Sequence, residues 1–168
     1  GSAGGFANNS IGSAAAISKL TDDAWHHYAL VFASSSAAQY ANLYVDGELD
    51  ATVTPGTARL MSEVRGALVG YIGALQTTTV TPSIGSSTTG DGKLSASLDE
   101  FRYWKTARSP EEIGRNWFTQ VRGGTNTDDA NTDLGVYFKF NEGITTVASL
   151  DSTVLDYSGR ISNGAWTG

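Results

Sequence analysis

The chain of 168 residues contains no cysteine, so no disulfide framework, thiolate zinc site or cysteine nucleophile can be built from it. Proline is scarce, with 3 residues, and charged residues make up only 17% against 20 glycines. That balance, with abundant Ser and Thr, suits strands joined by tight turns better than helices. No apolar run approaches the roughly 18 to 20 residues of a membrane helix, so membrane insertion is not expected. Residues 1–5, Gly-Ser-Ala-Gly-Gly, show neither the charged nor the apolar region of a secretory signal. Basic residues are the minority: 11 Lys and Arg against 17 Asp and Glu leave a net charge of −6. Without basic clusters the chain is not built for phosphate contacts, and no nucleic acid partner is expected. What is present suffices for a core, since 40% hydrophobic residues in a chain of this length fill one domain, with room for a fragment of a second.

The stretch Trp25-His26-His27-Tyr28-Ala29-Leu30-Val31-Phe32 becomes apolar on both alternating faces, the pattern of a strand covered on two sides. Residues 40–45 alternate, with Ala41, Leu43 and Val45 on one face and Tyr40, Asn42 and Tyr44 on the other. They run into Asp46-Gly47, whose tolerance of positive φ marks a two-residue hairpin turn, and Leu49, Ala51 and Val53 continue beyond it. One hairpin is therefore expected over residues 40–53. Further strands are expected over 67–72, 94–104 and 134–140. A short helix over 110–118 is signalled by Ser109 as N-cap, Pro110 at the first helical position and Glu112 completing a capping box. Residues 123–134 hold little that is apolar and suit a linker or long surface loop.

In order and spacing, Trp25-His26-His27-Tyr28-Ala29, then Leu43-Tyr44-Val45-Asp46-Gly47-Glu48-Leu49, then Val69-Gly70-Tyr71-Ile72-Gly73, then Leu98-Asp99-Glu100-Phe101-Arg102-Tyr103-Trp104 and Ser109-Pro110-Glu111-Glu112-Ile113 resemble the laminin-G-like, concanavalin A-like domains. The resemblance implies an all-β jelly-roll sandwich of two antiparallel sheets with one short helix, its main part spanning residues 1–122. Residues 135–168 resemble the same family out of order. Val136-Tyr137-Phe138-Lys139-Phe140 and Asp156-Tyr157-Ser158-Gly159 look like an opening strand and a loop that ordinarily precede the Trp-His-His strand. This segment either opens a second repeat or returns in a permuted arrangement to complete the first. Its wording is most similar to domains in structural or tail-fibre proteins of bacteriophages, which implies an extracellular or virion setting.

The family often carries Ca²⁺ beside the Asp-x-Ser-Gly loop, and the resemblance implies Asp99, Asp156 and Asn163 as ligands, with a carbonyl near Gly164. Hard cations want several oxygens at once, which these side chains would supply. The competing reading has Asp156 in an Asx-turn with Ser158 and Gly159, and Asp99 or Glu100 paired with Arg102 or Arg160. His26 and His27 are neighbours on a strand and point opposite ways, so they cannot share a metal unaided, and a structural role is expected. Asp128, Asp129, Asn131 and Asp133 lack the turn Gly and late Glu of an EF-hand. No G-x-S-x-G elbow or P-loop appears, and the adjacent carboxylate pairs suit local structure better than glycoside hydrolysis, so no enzyme is expected. Tyr71, Tyr157 and Trp166 are the candidate surface aromatics for stacking on a sugar. The function expected is a non-catalytic binding or adhesion module for a glycan or protein partner. A structural repeat pairing with neighbouring copies of itself is the alternative, and a glycoside hydrolase or lyase is the weakest.

Overall fold

The computed structural model describes residues 10–34, 38–54, 70, 72–73, 94–121, 133–142 and 152–166. They divide into two compact units, one of Gly1–Glu63 with Trp104–Gly135 and one of Val64–Tyr103 with Val136–Gly168. The described residues are mostly antiparallel strands with two short helices.

The first unit opens with α1 (Ala14–Ser18) and a 3₁₀ turn (Lys19–Thr21) that the strand pattern did not anticipate. Ser13 starts α1 by accepting the Ala16 N–H on its hydroxyl, and three alanines follow at the best helix-forming positions. Asp22 then accepts the Ala24 N–H and turns the chain towards the sheet. The sheet has the order β1 (Tyr28–Ser34), β2 (Gln39–Val45), β3 (Glu48–Val53). β1 begins three residues later than residue 25 because His26 and the His27 N–H are tied to the Asp46 side chain. β1 and β2 run antiparallel with Leu30 opposite Leu43, and β2–β3 shows one register shift between Leu43 and Tyr44. The hairpin is as expected: Asp46 and Gly47 turn with φ of 52° and 85°, the two positive values of a type I′ turn.

Burial of β1 differs from the expectation of two covered faces. Tyr28, Leu30 and Phe32 are 38, 48 and 44% exposed, and the α1 segment with its 3₁₀ extension lies against Tyr28 and Leu30. α2 (Pro110–Asn116) carries the full capping box between Ser109 and Glu112, buries Ile113 and packs on β3. Trp117, just beyond it, lies against Gly47. Ala16, Ala41, Tyr44, Val45, Ile113 and Leu134 form the buried core of this unit.

β4 (Phe101–Trp104), whose first three residues belong to the second unit, is shorter than the strand expected over 94–104. Glu100 has φ of 55°, and a left-handed residue breaks the extended run at that point. β4 pairs with β5 (Leu134–Phe138), which stops two residues short of Phe140, another left-handed residue with φ of 52°. β6 (Thr153–Val154) pairs antiparallel with β7 (Gly164–Ala165), and Phe138 bridges to Asp156. Tyr137 is fully buried, with Val154 and Ser158 close behind. The expected strand over 67–72 lies, apart from Gly70 and Ile72, outside the described residues, as do most of residues 123–134.

Candidate functional site

The loop after β6 is organised by one carboxylate. Asp156 Oδ1 accepts the backbone N–H of Tyr137 (2.9 Å) and of Ser158 (2.9 Å), while Oδ2 accepts the Ser158 hydroxyl (2.9 Å) and the Ser162 N–H (3.2 Å). The Asp156 N–H in turn donates to Asn163 Oδ1 at 2.9 Å. The Asp-x-Ser-Gly sequence is thus an Asx-turn extended into a latch between β5 and the loop, with Gly159 at φ of 80° closing the bend. These four bonds take up the roughly four acceptor sites of the Asp156 carboxylate. Asp99 is exposed and accepts the Glu100 N–H. Among the described residues no three acidic or imidazole side chains gather into a metal site. The set Asp99, Asp156 and Asn163 therefore does not fit Ca²⁺ as folded, because Asp156 and Asn163 are occupied with each other and with the loop backbone.

Glu100 takes the pairing weighed against metal binding. Its carboxylate accepts from Arg102 at 3.0 Å and from the Tyr137 hydroxyl. Burial, and then this bond to Glu100, push the Tyr137 hydroxyl up to about 12, so it stays a proton donor.

Two of the three expected ligand-binding aromatics lie on this unit, in two clusters joined through residues 137–141. In the first, Lys139 Nζ stands 5.2 Å from the ring centroids of both Tyr137 and Tyr157. The Tyr157 hydroxyl, on a residue 37% exposed, donates to Asn141 Oδ1 at 3.3 Å. In the second, Phe101 and Phe138 stack with centroids 5.9 Å apart, Phe138 and Phe140 are 6.0 Å apart, and Phe140 and Trp166 are 5.8 Å apart. Trp166 ends this ladder with 62% of its surface exposed. β7 sets its position: the Trp166 N–H donates to Ser152 O at 2.9 Å. A Cβ at Gly164 would stand 3.3 Å from the Phe138 ring, so the missing side chain lets β7 lie close. Tyr71, the third candidate, lies outside the described residues.

Phe140, Lys139 and Asn141 were not anticipated. A left-handed Phe costs of order 1–3 kcal/mol, and such strain persists only where the surroundings hold it. No periodic signal in the sequence marks a conformation of that kind. The unit thus carries one exposed indole at the end of an aromatic ladder and, separately, a cluster of an ammonium, an amide and a phenol.

A family model described as the concanavalin A-like lectin/glucanases superfamily, of laminin G type, matches residues 2–114. No curated protein and no solved structure matches the chain.

Proposed function

Because the chain belongs to the concanavalin A-like lectin/glucanase superfamily, whose laminin G domains are commonly carbohydrate- or protein-binding modules, we propose that it is a non-catalytic glycan-binding module of jelly-roll sandwich type. The observation that carries this reading is Trp166, exposed at the end of the Phe101–Phe138–Phe140 ladder. A pyranose stacks its apolar face on the indole, and Asn141, Lys139 and the Tyr157 hydroxyl offer polar groups to the rest of a longer glycan. Catalysis is not part of the reading: Glu100 is engaged by Arg102 and Tyr137, and Asp156 by its loop. In this reading residues 135–168 belong to the binding module, a view supported by the pairing of β5 with β4. The setting is a larger extracellular or virion assembly.

The test is a glycan array followed by calorimetry on the sugars retained. Trp166→Ala is expected to weaken binding at least tenfold, about 1.4 kcal/mol or more, with Tyr157→Phe losing less. Bound oligosaccharide should be recovered uncleaved. Binding unchanged in both variants, or no glycan retained at all, overturns the assignment.

A further inference from the structure

In the first unit one imidazole is held between two carboxylates. His26 Nδ1 lies 2.9 Å from Asp46 Oδ2, and His26 Nε2 lies 2.9 Å from Asp22 Oδ2. A carboxylate oxygen accepts and does not donate, so each short contact requires a proton on the facing nitrogen. Only the doubly protonated ring satisfies both at once; a neutral ring would turn a lone pair towards an anion on one side.

The two carboxylates belong to different parts of the unit. Asp46 is the first residue of the hairpin turn, where its other oxygen accepts the His27 N–H and its Oδ2 also meets Lys19 Nζ at 2.6 Å. Asp22 ends the 3₁₀ turn after α1 and accepts the Ala24 N–H. We propose that His26 is a charged clasp that fastens the α1 segment and its following turn to the β2–β3 hairpin, and that loss of one ring proton releases the Asp22 side.

The groups that face the clasp agree with this role. From the α1 segment come Lys19, which pairs with Asp46, and Asp22; from the hairpin come Asp46 and Glu48; from β1 comes the Tyr28 hydroxyl, which donates to Ala16 O. The hydrogen bond to Asp46, then that to Asp22, hold the ring's proton more tightly than an isolated imidazole would. Its contribution is therefore complete below the unfolded value near 6.5 and is lost as pH rises through the folded value. Ile17 and Leu20 of the same segment line, with Tyr28, Leu30 and Leu43, an apolar cleft of about 220 Å³, the space that loosening of the segment would open.

Nitrogen NMR of the imidazole tests the clasp directly. In the full chain the ring is expected to titrate above the ordinary 6.5, with both His26 nitrogens at protonated positions below that midpoint. The Ala24 and His27 amides, bonded to Asp22 and Asp46, are expected to shift on alkalinisation with the same midpoint as the ring, above 6.5. Asp22→Asn should keep the fold and lower that midpoint. His26→Gln should abolish the step at both amides. A ring midpoint at or below 6.5, or amides that ignore its titration, overturns the proposal. Should His26→Gln fail to fold, the midpoint in Asp22→Asn decides alone, since a purely structural histidine would not move with it.

Discussion

Gly47 is the position where one methyl group is expected to do most harm. It is the second residue of the type I′ turn, with φ of 85°, a conformation that costs an alanine about 1–2 kcal/mol. Space is the second problem. A Cβ there would overlap Trp117 Cδ1, lie 2.7 Å from Trp117 Nε1 and 3.2 Å from the Gly114 Cα. Relieving such overlap moves the indole off the hairpin, at about 1–3 kcal/mol for an overpacked site. Gly47→Ala should therefore destabilise the first unit by about 2–5 kcal/mol. Gly159 is the internal control: its φ is 80°, but a Cβ there would meet nothing within 4 Å, so Gly159→Ala should cost the strain alone, about 1–2 kcal/mol. Urea unfolding measures both costs, with amide exchange at Val45 and Val154 assigning each loss to its own unit. The overlap is isolated by a double-mutant cycle: in a Trp117→Ala background the Gly47→Ala cost should fall to that of Gly159→Ala. If Gly47→Ala costs no more than Gly159→Ala, or costs the same without the indole, the steric account is wrong.

Ser109→Ala removes one half of the α2 capping box and should cost about 1 kcal/mol in urea unfolding. Asp156→Ala leaves three backbone N–H groups and the Ser158 hydroxyl without their acceptor and should destabilise the second unit by about 3 kcal/mol or more. Asp156→Asn keeps one acceptor oxygen and should cost less in the same assay. Millimolar calcium, compared with a chelator, should move the melting temperature by no more than about 1 °C, whereas a site binding well below that concentration would raise it by several degrees. Burial alone would raise the Asp46 carboxyl, but Lys19, the His27 N–H and His26 hold it down at about 2. Its stabilisation is thus present above the ordinary carboxylate range near 4 and fades as pH falls towards 2. Asp46→Asn, which tolerates the left-handed turn, should lose stability at pH 5 and converge with the parent protein near pH 2 in thermal melts.

The hairpin and α2 were legible because each rests on local chemistry: Asp46-Gly47 accepts two positive φ values, and Ser109 and Glu112 satisfy each other's backbone three residues apart. α1 was missed because its signal is one capping serine before three alanines, with no polar face to set a period. The strands over 94–104 and 134–140 were drawn too long because side-chain alternation says nothing of the left-handed backbone at Glu100 and Phe140. For the site, Tyr157 and Trp166 were found as aromatics outside core patterns, and both are exposed. Lys139 and Asn141 were not, since their relevance depends on the Tyr157 ring, 18 and 16 positions away, which only the folded chain brings alongside.

The motifs inside the matched residues 2–114 and the residues that form the candidate site are different sets, and the physics of each explains why. Trp25-His26-His27 and Asp46-Gly47 are joined by hydrogen bonds from His26 and the His27 N–H to one carboxylate. Changing His26 or Asp46 leaves a polar group on another element without this partner, which ties the two motifs together. Ser109-Pro110-Glu111-Glu112 is likewise bound to itself through the cap. These constraints lie within residues 2–114, where the family match lies. Lys139, Asn141, Tyr157 and Trp166 lie beyond it, and each is attached to the fold by its backbone or by ring contacts that leave an outer face open. Replacing Trp166 with another aromatic removes no partner from a buried donor. The scaffold is therefore held by mutual hydrogen-bond obligations, while the exposed aromatic end is free to vary with the ligand, and specificity has to be measured on this chain's own tail.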